Sequence, residues 1–254
     1  MKKFAMGALA LASVAGAATA EQTGTLSLVR TFDLNTATVA GRATPGAVYS
    51  NVDNFTGNAY ANGGAANLAG NTITTLVADD ILMAGPSSIT SFTFSVANFN
   101  TVAVSARARV RFYAADGVGG TPGTVITGFS FNPISFTANS VNTFTGNVAA
   151  FVLPAAFWAG ITFDNNTGGT GATAAQLNNL GQGIFDPPVV GSSANLAFQT
   201  TAAGSFLANN PAGSTFNFTG LGAPNANFGW EFIPTPGAAA LFGIAGVAGA
   251  RRRR

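Results

Sequence analysis

From Gly24 onward, apolar side chains recur every second residue far more often than every three or four, and a period of two is what a strand with one buried face requires. The clearest run is Ile89 to Val96, where Phe92, Phe94 and Val96 alternate with Ser91, Thr93 and Ser95. A second extends from Val102 to Tyr113, with Ala106, Ala108, Val110 and Phe112 on one face and Arg107, Arg109 and Arg111 on the other. No capped amphipathic helix of a dozen residues interrupts the pattern. Further strands are expected over Thr124 to Phe131, Asn142 to Phe151, Ala156 to Phe163, Gly183 to Phe185, Asn195 to Thr200, Thr215 to Phe218 and Phe228 to Ile233.

Turn signals separate these runs. After Tyr113 the stretch AADGVGGTPGT concentrates Gly and Pro, and Pro122 with Gly123 suits the two central positions of a type II turn in a hairpin connection. The segment Asn54 to Gly70 reads as a long loop or a weakly held edge strand, and Gly171 to Leu180 as one short helix or an ordered loop. Eight to eleven short strands without helical crossovers predict an all-β fold, a jelly-roll-like β-sandwich in one domain. With 47% hydrophobic residues and 22 Phe, the chain has enough apolar mass to fill such a core.

The two ends read differently from this body. Lys2 and Lys3, an apolar run from Phe4 to Ala17, and the small residues Ala18 and Ala20 have the layout of a secretory signal over residues 1–20, with the mature chain expected to start at Glu21. At the other end, Pro234, Thr235, Pro236 and Gly237 open an apolar stretch that closes on Arg251, Arg252, Arg253 and Arg254. As a helix, Ala238 to Ala250 would extend about 20 Å, short of the roughly 30 Å hydrocarbon core of a bilayer. An ordinary membrane-anchoring tail is the plain alternative.

What the body lacks excludes whole classes of chemistry. It has no His or Cys, and both Lys lie in the signal, so imidazole, thiol and amine catalysis, zinc and iron-sulfur sites and disulfides are ruled out. No cofactor or metal site is indicated. Residues 21–233 carry five arginines against nine carboxylates, a net charge of −4 that offers no footprint for nucleic acid.

The tail, IPTPGAAALFGIAGVAGARRRR, resembles the PEP-CTERM sorting signals of Gram-negative bacteria, with Pro234, Thr235 and Pro236 standing where that family usually has Pro-Glu-Pro. The segments ARVRFYAADG with GTPGT, and FDPPVVGSS, are similar to stretches in exported domains of presumed β-sandwich fold that carry such tails. The resemblance implies export to the cell surface or extracellular matrix, transient membrane contact through the tail, and an exosortase-type processing enzyme as partner. It supplies no catalytic residues.

Three candidate features remain in the body. Asp53, Asp79, Asp80, Asp116, Asp164 and Asp186 could supply a carboxylate pair about 5 to 9 Å apart for glycoside hydrolysis. Asp79 and Asp80 adjoin, so in an extended segment they point to opposite faces and cannot share one ion; capping of backbone N–H groups is the bland role. Arg107, Arg109 and Arg111 span about 13 Å of one strand face and could hold an anionic glycan, or else face solvent, protect an edge, or pair with nearby carboxylates. Among the aromatics, Trp158 is expected in the core and Tyr60 is the candidate for exposure. The resulting expectation is a non-enzymatic exported surface protein in contact with exopolysaccharide; a carbohydrate-binding module with a groove and a hydrolase using paired Asp are the alternatives.

Overall fold

A computed structural model describes residues 21–38, 42–166, 171–218 and 225–235. The expected signal at 1–20 and the part of the expected sorting tail from Pro236 through Gly237 to Arg251, Arg252, Arg253 and Arg254 lie outside the described residues. In chain order the strands are β1 (Gln22–Thr23), β2 (Thr25–Asp33), β3 (Tyr49–Ser50), β4 (Phe55–Ala61), β5 (Ala66–Leu68), β6 (Asn71–Ile73), β7 (Val77–Leu82) and β8 (Ser87–Asn98). They continue as β9 (Val104–Ala114), β10 (Val125–Phe136), β11 (Ser140–Leu153), β12 (Ala156–Asp164), β13 (Leu180–Phe185), β14 (Ala197–Thr200), β15 (Gly213–Phe216) and β16 (Trp230–Pro234). A five-residue helix, α1 (Ala174–Asn178), precedes β13; Thr173 caps it and Gln176 reaches back to complete a capping box. Among the described residues no helix is long and apolar enough to cross a membrane.

The strands form two sheets. One runs β1-β10-β9-β12-β7-β14-β15, with β6 on β12 and β5 on β6; the other runs β2-β11-β8-β13-β4, with β16 filling the remaining side of β8 and β3 beside it. Among the described residues every pairing is antiparallel except β1 on β10. The sheets share one apolar core, since Phe92, Phe94 and Val96 of the second sheet cluster with Ala106, Ala108, Val110 and Phe112 of the first. This is an all-β sandwich held by packing rather than by disulfides.

Strand β8 departs from simple alternation. Phe92, Phe94 and Val96 are buried as expected, but so are Thr93, Ser95 and Ala97 on the opposite face. At Ala97 the cause is a second layer: Phe32, Phe55 and Phe185 close over it and Val141 as a small cluster of their own. The β9–β10 hairpin also differs in detail from a Pro122-Gly123 type II turn. Its left-handed residues are Gly119 and Gly120, at φ 68° and 80°, while Gly123 is needed because a Cβ there would collide with the Asp116 carboxylate. That carboxylate accepts from Thr124 N and Oγ1 and is held below its ordinary pKa by those two bonds.

Candidate functional site

The outer face of the second sheet carries a lateral polar row. Register places Thr145 of β11 beside Thr93 of β8, Thr93 beside Glu231 of β16, and Glu231 beside Ser50 of β3. Each of these positions alternates with a core aromatic or its neighbour, for example Glu231 between Trp230 and Phe232, so the same period of two that buries the rings turns the row outward. The Thr93 and Thr145 hydroxyls lie 2.7 Å apart. Glu231 accepts from Ser50 Oγ at 2.8 Å, Thr44 Oγ1 at 2.7 Å and Thr44 N at 3.0 Å, which satisfies a carboxylate that is 4% exposed.

Segments 42–44 and 52–53 rise beside this row and enclose a cleft of about 200 Å³, lined also by Arg30, Arg42, Asp53 and Thr143. Arg30 is ion-paired with Asp53. Arg42 is exposed and makes no ion pair among the described residues. The cleft therefore offers threonine hydroxyls, two carboxylates already bonded to protein donors, and one guanidinium able to grip an anion in two parallel bonds.

The arginine row on β9 lies elsewhere and is shielded. Arg107 donates to Asp164 at 2.8 Å, and Arg109 Nε sits 2.7 Å from the other oxygen of the same carboxylate. Glu21 lies 3.0 Å from Arg111 and 3.7 Å from Arg109. Phe206 covers Arg109 and Arg111 at 5.6 and 5.7 Å, so their side chains keep only 13% and 5% exposure. The strand is central, not an edge, and of the roles weighed for the row, pairing with neighbouring carboxylates is what the geometry shows.

Asp79 and Asp80 meet where extended geometry would separate them. Asp79 Oδ2 accepts from Phe228 N at 2.9 Å and Asp80 Oδ2 from Ala194 N at 3.1 Å, so both cap backbone donors. Yet the Ser193 hydroxyl is 3.1 Å from Asp79 Oδ1 and 3.2 Å from Asp80 Oδ1. The loop crosses the edge of β7 at the Leu82–Ser192 bridge, and from that edge one hydroxyl reaches side chains of both faces.

No protein-family model, curated protein or solved structure matches this chain.

The aromatics provide no exposed stacking platform among the described residues. Trp158 is buried and donates to Gly120 O at 2.8 Å; Trp230, Tyr49 and Tyr113 are buried as well. Tyr60 is half-buried, stacked on Phe216 at 4.9 Å and bonded to Gln199. Glu231, Arg30 and Arg42 are not among the candidates that the sequence offers. The alternation Trp230-Glu231-Phe232 was the available signal for the first; nothing local marks the other two.

Proposed function

We propose that this chain is an exported, non-enzymatic protein of the cell surface or extracellular matrix of a Gram-negative bacterium, and that its cleft holds an acidic exopolysaccharide. The cleft carries the proposal, because threonine hydroxyls beside a guanidinium that is unpaired among the described residues match a sugar bearing hydroxyl and carboxylate groups. With a net charge of −4 on residues 21–233, general attraction to a polyanion is unfavourable, so binding must come from a local cation. Retention of the mature protein on an immobilised polyuronate, weakening as salt rises, tests it. A jelly-roll-like connectivity and a short helix in the tail, with transient membrane contact, belong to the same reading.

Processing is part of the proposal. The Glu21 carboxylate, directly after the expected cleavage point at Ala18 and Ala20, is anchored on Arg111, which supports a mature start there. At the other end β16 continues through Pro234, and Thr235 N donates to Ser88 O at 2.8 Å, so the folded body runs into the first two residues of the sorting motif. Protein recovered from the surface should have an intact mass that begins at Glu21 and lacks Arg251 to Arg254. Tetra-arginine still present in every copy would defeat the sorting proposal.

A hydrolase is the second reading, favoured by the presence of Asp53 and Glu231 in one cleft. Against it, Arg30 and the Thr44 and Ser50 donors already occupy these carboxylates. Release of reducing sugar from the bound polymer would establish it.

A further inference from the structure

We infer that Asp79, Ser193 and Asp80 form a shared-proton latch, in which a carboxyl proton on Asp79 hydrogen-bonds to Ser193 Oγ and the Ser193 hydroxyl hydrogen-bonds in turn to Asp80, fastening β7 to the segment that leads into β16. The geometry around one hydroxyl motivates it. Ser193 Oγ has one proton, yet Asp79 Oδ1, Asp80 Oδ1, Asn227 Oδ1 and Ala194 O all lie within 3.2 Å of it. Asn227 cannot turn its amide inward without losing the 2.7 Å bond from its Nδ2 to Asp186. With both carboxylates ionised, at least two buried acceptors would face each other across a single donor. A carboxyl proton on Asp79 Oδ1 supplies the second donor between the two acids and leaves its Oδ2 free to accept from Phe228 N.

The groups facing the pair add no positive charge. Tyr49 approaches from β3 and Asp186 from the segment after β13, and both acids lie close enough to act on the tyrosine electrostatically. Strands β12 and β14, which flank β7, place Trp158, Ala159 and Ala197 opposite the pair. Among the described residues no arginine is ion-paired with Asp79, Asp80 or Asp186. Burial, then the charge of Asp80, holds Asp79 well above its ordinary pKa; burial pushes Asp80 up to about 6.

Both shifts are upward, so the folded state binds more protons than the unfolded one between the two sets of values. The latch contributes fully below about pH 4, where the unfolded carboxyls also hold protons. It weakens as pH rises through the raised values of the two acids, about 6 for Asp80. Asp116, shifted the other way, withdraws its small contribution only on the acid side. The device tightens the sandwich in an acidic exterior.

Thermal unfolding of the mature protein followed from pH 5 to pH 8.5 should show Tm falling by about 4 °C or more. In Asp79→Asn the amide donates to Ser193 in place of the proton, and the fall should shrink to less than half. Infrared spectroscopy of the parent, which needs no variant, should show a protonated-carboxyl carbonyl band at pH 6.5. A flat parent profile, an unchanged slope in Asp79→Asn, or no such band would overturn the latch. Calcium chloride restoring the acidic Tm at pH 8 would also overturn it, because the acids would then be a cation site.

Discussion

Replacing Asp164 by alanine is expected to cost about 3 to 5 kcal/mol of folding stability, the range for removing one partner of a buried ion pair. The carboxylate is fully buried and serves Arg107 and Arg109 together, while those side chains keep only 15% and 13% exposure. Its loss leaves Arg107 with no carboxylate among the described residues and Arg109 with only the longer contact to Glu21. Desolvation rather than lost attraction sets the size of the effect, so it should change little with salt. Combining Asp164→Ala with Arg107→Met should recover part of the loss, because the second change removes one stranded charge. Urea unfolding of the three proteins checks this, and a loss below about 1 kcal/mol for Asp164→Ala would place the cluster with weak surface pairs.

Phe92→Ala should be comparably severe, about 3 to 5 kcal/mol. Its ring lies 5.3 Å from Phe112 and 5.4 Å from Phe129 of the facing sheet, and 6.5 Å from Phe232 of its own. Truncation would thus open a void on the contact between the sheets, where rigid aromatic neighbours cannot collapse into it. Ser91→Ala, on the other face and only partly buried, is the proper contrast and should stay within about 0.5 kcal/mol. Thr93 is a poor control, since it is buried and bonded to Thr145. Equal losses at Phe92 and Ser91 would mean that the strand is inverted.

These two residues mark what was legible beforehand. Strands β8 and β9 could be read from alternation because one face of each is apolar without a break. Strand β7 could not: Val77-Ala78-Asp79-Asp80 is buried almost throughout, and a strand covered on both sides carries no period of two. Strand β2 escaped for the opposite reason, lying at a sheet edge with Leu28 and Val29 more than half exposed. The stretch Asn54 to Gly70 did contain an edge strand, β4, together with β5, whose hairpin partner β6 begins just after it at Asn71.

The cleft was less legible than the fold, for a physical reason. It joins β2, β8, β11 and β16 with residues of two loops, and such a meeting depends on register between strands more than a hundred positions apart in sequence. Ser193 is similar: its neighbours in sequence, Ser192 and Ala194, give no hint that it stands between two acids. The arginine row was visible at once, but its shield, Phe206, and its partner Glu21 come from far along the chain.

The central claim is that the cleft, through Arg42, holds an acidic glycan. Calorimetric titration of the mature protein with a polyuronate, compared with the Arg42→Gln variant, tests it most directly. The expected result is a loss of about tenfold in affinity, or about 1.4 kcal/mol, with an unaltered Tm. Equal affinity of the two proteins, or no binding by either, would contradict it.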